Sequence, residues 1–251
     1  MARSPSARPE AQSQAETRRE AAPATPRRGR KSGAKPAVPL SVQAYEAIKE
    51  RIITLFFMPG QYVNEADVAA LLDLGRTPVH QALQRLSHEG LVEILPRKGI
   101  IIRPDTVQEI LKILDSRMTV EPELAAGAAT RASADQVHAI LESAAATPSD
   151  TVPPDIPLFT RNDRLFHQNV AEASGNEVMS AFARQLHERS IRFWYLHLWQ
   201  TIDVGATNTQ HLDIARAIAE NRSADASSAM AEHIDALRER LKQLPGGFLR
   251  G

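Results

Sequence analysis

Apolar residues recur every three or four positions along most of the chain, and this spacing predicts helices. Three helices are expected between residues 41 and 104. The first helix is expected to begin at Ser41, and Phe56 is expected to face the core together with the apolar residues before it. Asn64 is predicted to cap the second helix, and Thr77 is predicted to cap the third, with Pro78 as its first residue.

Two short β-rich segments follow the third helix, which is predicted to end at Gly90. They cover residues 91–95 and 99–103, with a turn at Pro96-Arg97-Lys98-Gly99. Three helices and a basic hairpin predict a winged helix-turn-helix, in which one helix enters the major groove and the wing contacts phosphates. The residues expected to face DNA are Arg76, Thr77, His80, Gln81, Gln84, Arg97 and Lys98.

The pattern beyond Pro104 is helical throughout, with breaks rich in Pro, Gly, Ser, Thr and Asp. Helices are expected at residues 107–131, 133–146, 157–174, 176–200, 207–221 and 223–244. An antiparallel all-α bundle is therefore predicted over residues 105–245, followed by a short tail over 246–251. The expected protein is mainly α-helical, with a DNA-binding domain over residues 41–104.

Charge is unevenly distributed, although the 251 residues sum to zero. Residues 1–40 carry nine Lys or Arg and three Asp or Glu, which gives this segment a charge of +6. The segment is rich in Pro, Ala, Ser and Arg and has few large apolar side chains, so it is predicted to be disordered. Two interpretations are open: a solubilising extension, or a basic arm that adds nonspecific affinity for phosphates.

Composition also excludes several classes of chemistry. The chain has no cysteine, which rules out disulfides, thiolate metal ligands and a cysteine nucleophile. No apolar run approaches the ~18 residues needed to span a membrane, and the N-terminus has no apolar segment of the secretory kind. A cytoplasmic protein without membrane contact is expected.

The segment LSVQAYEAIKERIITLFFMPGQYVNEADVAALLDLGRTPVHQALQRLSHEGLVEILPRKG resembles the N-terminal domain of GntR-family transcriptional regulators. The helical remainder is similar to the FCD effector domain of the FadR subfamily through SRMTVEPELA, NDRLFHQNVAEASGN, QHLDIARAIAENRSADAS and MAEHI. Six predicted helices favour its shorter, VanR-like variant. The resemblance implies a homodimeric regulator, by family habit a repressor, that binds an operator in double-stranded DNA and responds to a small ligand.

The chain departs from the family pattern at the start of the recognition helix. Gly75 stands where the family usually has serine, His80 replaces an arginine and Gln81 replaces a glutamate. Arg76 is therefore the strongest DNA contact that the resemblance carries over. Histidine lacks the bidentate fork of arginine, so operator preference is expected to differ from that of relatives.

Asp163 and His167 are four residues apart in one predicted helix and so share a face. Such a pair is more often a surface or capping pair than a metal site. The resemblance to FCD domains implies that both residues, with His211 and His233, bind one divalent metal. Imidazole and carboxylate ligands suit zinc foremost, with nickel, iron or manganese as alternatives.

Arg117 matches an arginine that reaches the effector pocket in FCD domains, where it would hold the carboxylate of a small acid. An i,i+4 salt bridge with Glu121 is the alternative interpretation of the same residues. Arg192 and Tyr195 are candidates for the pocket wall. Four other histidines are expected to be solvated or packed and not to bind the metal: His88, His138, His187 and His197.

Three functions compete at this point. A regulator that releases DNA on binding a small carboxylate is favoured. A regulator that senses the metal ion itself is the second, and a metal-dependent hydrolase is the third, because open positions on a metal could activate water. No general base lies near the candidate ligands in sequence, and a winged helix has no role in hydrolysis, so an enzyme is not expected.

Overall fold

The computed structural model describes residues 38–146, 148, 155–198 and 203–243. The predicted disordered tail falls almost entirely outside these residues, and the predicted segment 246–251 falls wholly outside them. The helices are α1 (Leu40–Ile53), α2 (Glu65–Leu72), α3 (Arg76–His88), α4 (Val107–Arg131), α5 (Ala134–Ala145), α6 (Ile156–Ala173), α7 (Glu177–Phe193), α8 (Val204–Ala219) and α9 (Ser223–Lys242), and the strands are β1 (Tyr62–Val63), β2 (Val92–Leu95) and β3 (Gly99–Ile102).

The predicted fold class, a winged helix-turn-helix followed by an all-α bundle, is confirmed. All six expected bundle helices are present, and their ends differ from the prediction by a few residues. The largest difference is at the end of α7, where residues 194–198 form a π-helical turn. Within the described ranges, no helix is long and apolar enough to cross a membrane.

The first core lies between α1, α3 and a small antiparallel sheet. The strand order is β1-β3-β2, with Val92 opposite Ile102 on one side and Tyr62 opposite Ile101 on the other. Helix α3 contributes its apolar stripe to this core: Val79, Ala82, Leu83 and Leu86, each at most 1% exposed. Burying that stripe leaves the polar face of α3 in solvent.

Two details of the N-terminal prediction are wrong. Thr77 does not cap α3, because the helix begins earlier, with Gly75 in the N-cap position and no side-chain cap. Phe56 is 59% exposed, whereas Phe57 is buried. Helix α1 stops at Ile53 and the chain turns beyond it, so the helical spacing no longer determines which side chain faces the core.

The second core belongs to the bundle of α4 to α9. The 25-residue helix α4 is its central element and contacts α6, α7, α8 and α9. Thr106 starts α4 with a capping box, in which its hydroxyl accepts from the Glu109 N–H and the Glu109 carboxylate accepts from the Thr106 N–H. Phe166 and Ile214 are fully buried in this core.

A buried ion-pair cluster joins the two cores where α1 meets α7. Lys49 on α1 is 3% exposed, and its Nζ lies 2.5 Å from Glu188 Oε2 on α7 and 3.5 Å from Glu89 Oε2. Tyr45 donates its hydroxyl proton to Glu89 at 2.9 Å. Ile191 of α7 packs into the first core. The DNA-binding domain is thus held to the bundle by both charge and apolar contact.

The linker between the two cores is also held by α7. Asp105 accepts hydrogen bonds from Arg189 Nε at 2.9 Å and from Arg192. Arg192 donates a further bond of 2.8 Å to the Arg103 carbonyl oxygen. Because both arginines lie on one helix, a movement of that helix would move the linker with it.

Lys49→Met should lower the free energy of unfolding by about 3 kcal/mol, because it removes a buried cation and leaves Glu89 and Glu188 without it. Arg216→Met is the matched control, since Arg216 pairs with Asp213 on the surface, where both side chains are more than half exposed, and should cost less than about 1 kcal/mol. Urea unfolding followed by circular dichroism measures both. Equal losses would contradict the assigned role of the cluster.

Candidate functional site

Three helices bring the four predicted metal-site residues together inside the bundle. Asp163 and His167 project from one face of α6, His211 comes from α8 and His233 from α9. All four are between 1% and 7% exposed. The i,i+4 spacing on α6 therefore marks an interior pair in this protein, not a surface or capping pair.

The imidazoles lie close enough to share one ion. The ring centroids of His167 and His211 are 5.3 Å apart, and those of His211 and His233 are 4.8 Å apart. One ring nitrogen from each of the three residues lies within 4.8 Å of the others. The Nε2 atoms of all three are buried and have no hydrogen-bond partner among the described residues. Buried nitrogens without partners are costly unless a further group satisfies them.

His187 on α7 completes the cluster, and the sequence pattern did not single it out. It is 4% exposed, and its Nε2 lies 2.8 Å from Asp163 Oδ2. Asp163, His167 and His187 form a second group with the spacing of metal ligands. One sequence feature could have indicated that His187 is buried. Ser180, Ala183 and His187 recur at helical spacing and form the buried face of α7.

Burial keeps the imidazoles of His187, His211 and His233 in the neutral form that binds metals. It lowers the pKa of His187 to about 4 and that of His211 to about 3. Burial also lowers the pKa of His233 well below its usual value. For Asp163, burial alone would raise the pKa, but the hydrogen bond from His187 and the neighbouring imidazoles outweigh it and hold the pKa well below its usual range. An ionised carboxylate and neutral imidazoles fit a divalent metal.

Arg117 and Glu121 make the salt bridge that was the alternative to an effector role. Arg117 Nε lies 2.5 Å from Glu121 Oε1, Nη2 lies 3.1 Å from Oε2, and Nη1 donates to the Ser190 hydroxyl at 2.8 Å. Glu121 Oε2 also lies 2.8 Å from His167 Nδ1. The guanidinium and the adjacent imidazole hold the pKa of Glu121 low although burial opposes this. Both residues therefore lie beside the histidine cluster, and their charged groups already have partners.

Arg192 and Tyr195, the two residues predicted for the pocket wall, lie elsewhere in the structure. Arg192 reaches the Asp105 linker instead of the cluster, because it lies on the side of α7 that faces the DNA-binding domain. Tyr195 lines a groove with Glu50 and Arg161, between α1 and α6. Neither side chain lines the cavity beside the imidazoles.

That cavity is bordered by α4, α6, α7, α8 and α9. It is lined by Asp163, His167, His233 and Arg117, and also by Arg240 of α9. Arg240 makes no ion pair with a described residue, whereas its neighbours do: Arg238 with Asp115 and Lys242 with Glu239. Arg240 follows His233 by seven residues, so both side chains lie on one face of α9. This spacing in the sequence could have indicated that Arg240 lies near the site.

The predicted DNA-contacting residues of α3 lie together on an exposed face: Arg76, Thr77, His80, Gln81 and Gln84. His80 Nδ1 lies 2.9 Å from Glu65 Oε2, so its imidazole is tied to the start of α2. Arg76 has no ion pair with a described residue and is free to contact a base or a phosphate.

The wing places its two cations at an exposed tip. Arg97 has a φ of 64°, and the Lys98 N–H closes the turn on the Leu95 carbonyl at 3.1 Å. Gly99 has a φ of 103°, and a Cβ there would lie 3.0 Å from the Val63 carbonyl oxygen. A side chain at that position would be strained and would press β1 away from β3.

The other histidines outside the cluster are exposed, as expected for solvated residues. His88 and His197 are exposed. The His138 side chain is 74% exposed and lies 3.8 Å from Glu142. Of the four histidines that were predicted to be solvated or packed, only His187 is buried in the site.

A winged helix-turn-helix joined to a helical bundle with a buried polar site is the architecture of a DNA-binding transcriptional regulator. Residues 40–102 match the family described as bacterial regulatory proteins of the gntR family, and residues 112–236 match the FCD domain. The chain belongs to the GntR family and carries an FCD domain, consistent with the FadR-like subfamily. It is a regulator and not an enzyme.

Curated relatives carry the same description. An HTH-type transcriptional regulator from the TAR-I ttuE-ttuC' intergenic region of Agrobacterium vitis is 34% identical over 51% of this chain and 76% of its own length. The Nta operon transcriptional regulator of Aminobacter aminovorans is 28% identical over 72% and 85% of the two chains. The transcriptional repressor RspR of Escherichia coli is 22% identical over 83% and 92%.

The fold is also that of a solved structure, Escherichia coli McbR/YncC. The TM-score is 0.72 at 18% sequence identity, with 82% of this chain and 98% of that chain covered. A regulator from Rhodococcus sp. RHA1 has a TM-score of 0.67 at 21% identity, with 82% and 98% covered. At these identities, the likeness shows the shared fold.

Proposed function

We propose that this regulator holds one divalent metal ion through Asp163, His167, His211 and His233 and represses transcription as a homodimer. A small organic acid binds beside the ion and releases the operator. Zinc fits the ligand set best, and nickel, iron or manganese are compatible with it. The relative named RspR is a repressor, which supports the same sign of regulation here.

The main support for the proposed metal site is the set of three buried Nε2 atoms without hydrogen-bond partners. A protein interior rarely leaves such atoms unsatisfied. A cation satisfies all three at once, while apolar packing or a single water cannot. Three imidazoles and one carboxylate leave further coordination positions for an oxygen ligand, which a carboxylate effector would supply.

Arg240 is the residue best suited to hold the remaining charge of such an acid. It lines the same cavity as His233 and has no carboxylate partner among the described residues. All three nitrogens of Arg117 are engaged, so an acid would have to displace Glu121 before Arg117 could bind it. The sequence-derived role of Arg117 therefore becomes secondary to that of Arg240.

Helix α7 supports coupling between the effector cavity and DNA. Ser190 faces Arg117, whereas Arg189 and Arg192 hold the linker and Glu188 holds Lys49 of α1. Ligand binding can shift the DNA-binding domain only if the ligand prefers one position of this helix. An acid that moves α7 would act on both contacts together.

Arg76→Ala should cost about 1–3 kcal/mol of specific operator affinity if Arg76 contacts a guanine through two hydrogen bonds. Arg97→Ala, in the wing, is the comparison, and should weaken all DNA sequences alike while reducing the salt dependence of binding. Titrations of a selected operator and of unrelated DNA at several salt concentrations distinguish the two. Unchanged operator affinity in Arg76→Ala would remove this residue from the interface.

Metal content should be one ion per chain, and His211→Ala with His233→Ala should abolish it. Removing the ion should also lower the thermal stability of the wild type, because the ion satisfies groups that are buried only in the folded state. Elemental analysis after gel filtration measures the content, and His138→Ala is the exposed control. Full metal content in the double variant would refute the assigned ligands.

Arg240→Gln should weaken binding of the acid at least tenfold while leaving metal content and operator affinity in the absence of acid unchanged. Arg238→Gln, two residues away and paired with Asp115, should bind the acid as the wild type does. Calorimetry with a panel of aromatic, short-chain and sugar acids, together with neutral and cationic compounds of similar size, provides the measurement. A panel in which only neutral or cationic ligands bind would exclude the acid as effector.

The same DNA-binding assay separates the acid-responsive regulator from a metal sensor. Metal and acid are added separately to metal-free protein bound to the operator. Release that requires the acid supports the proposal. Release by the metal ion alone would instead identify the ion as the signal.

A further inference from the structure

The two oxygens of Asp163 have different surroundings, and a residue outside the proposed ligand set is responsible. Oδ2 lies 2.8 Å from His187 Nε2 with hydrogen-bond geometry. Oδ1 lies 3.5 Å from His211 Nε2, a contact without hydrogen-bond geometry. One oxygen is therefore occupied, while the other faces His211, whose Nε2 has no hydrogen-bond partner among the described residues.

We propose that His187 is a positioning residue for the metal site: its Nε2–H holds Oδ2 of Asp163 so that Oδ1 is presented to the ion. This inference rests on the proposed metal site and adds a residue to it. A carboxylate only accepts hydrogen bonds, so His187 must carry its proton on Nε2 when the contact is made. That nitrogen is then unable to bind the ion itself.

Contacts of the neighbouring residues on α7 hold the backbone of His187 in place. The next residue, Glu188, is anchored 2.5 Å from Lys49 Nζ, and Ser190 accepts a hydrogen bond from Arg117. Asp163 is flanked in the same way, because Arg164 donates to Glu50 of α1 at 2.8 Å. Outer partners of this kind typically contribute 10–100-fold to metal affinity by fixing the orientation of a ligand.

Direct coordination by His187 is the rival explanation, since Asp163, His167 and His187 also have the spacing of a metal-binding group. It would require His187 to give up its bond to Asp163. The positioning role requires that bond to persist when the metal is bound. The two explanations therefore predict opposite states of His187 Nε2 in the loaded protein.

Two amide variants of different length separate these explanations. In His187→Gln, the amide nitrogen can reach the place of Nε2 and donate to Asp163, whereas in His187→Asn it is one bond too short. Zinc affinity, measured by competition with a chromophoric chelator, should stay within about threefold of the wild type in the Gln variant. It should fall 10–100-fold in the Asn variant. His138→Gln, at an exposed histidine, is the control for loss of an imidazole.

A spectroscopic measurement on the wild type makes the test independent of how the variants fold. Nitrogen NMR of the zinc-loaded protein should find a proton on His187 Nε2, and the visible spectrum of cobalt-loaded His187→Gln should match that of the cobalt-loaded wild type. A metal-bound Nε2, equal weakening of both variants, or wild-type affinity in both would overturn the proposal. A wild-type protein that binds neither zinc nor cobalt overturns the metal site together with the role of His187, whereas the other outcomes overturn the latter alone.

Discussion

Ionisable groups buried inside a helical bundle must satisfy one another, and this constraint organises the structure. Arg117 pairs with Glu121, Glu121 lies against His167, and His187 donates to Asp163. Each of these contacts joins two helices or two turns of one helix, so the register between α4, α6 and α7 is set by charge as well as by apolar packing. The Nε2 atoms of His167, His211 and His233 are left without hydrogen-bond partners by this pairing, and the proposed metal site rests on them.

Helix α7 faces both domains along one short segment. His187 and Ser190 point to the polar interior, while Glu188, Arg189 and Arg192 contact α1 or the linker. A helix exposes a different side with each successive residue, so neighbouring residues of α7 can contact the buried polar site and the DNA-binding domain. No long pathway of contacts is needed between the two.

The arginines of this protein, whose net charge is zero, fall into two groups: those paired with carboxylates and those without an ion pair. Arg117, Arg164, Arg189 and Arg192 are bound to carboxylates inside the bundle or at the domain junction. Arg76 and Arg97 have no ion pair with described residues and are exposed, on α3 and at the wing, where DNA contact is predicted. Net charge therefore says little about DNA binding here, because most of the buried or half-buried cations are already neutralised locally.

Sequence alone determined most of the elements, because helix spacing and the Pro-Gly turns are local properties: all six bundle helices and the wing follow from them, whereas the two-residue strand β1 was not predicted. It also determined that Asp163 and His167 share a face. Tertiary packing decided what these residues meet, since contacts such as Asp163 with His187 or Arg192 with Asp105 join positions 24 and 87 residues apart. It also chose between the two roles of Arg117, because only the folded bundle brings Ser190 and His167 to the Arg117–Glu121 pair and leaves Arg240 free.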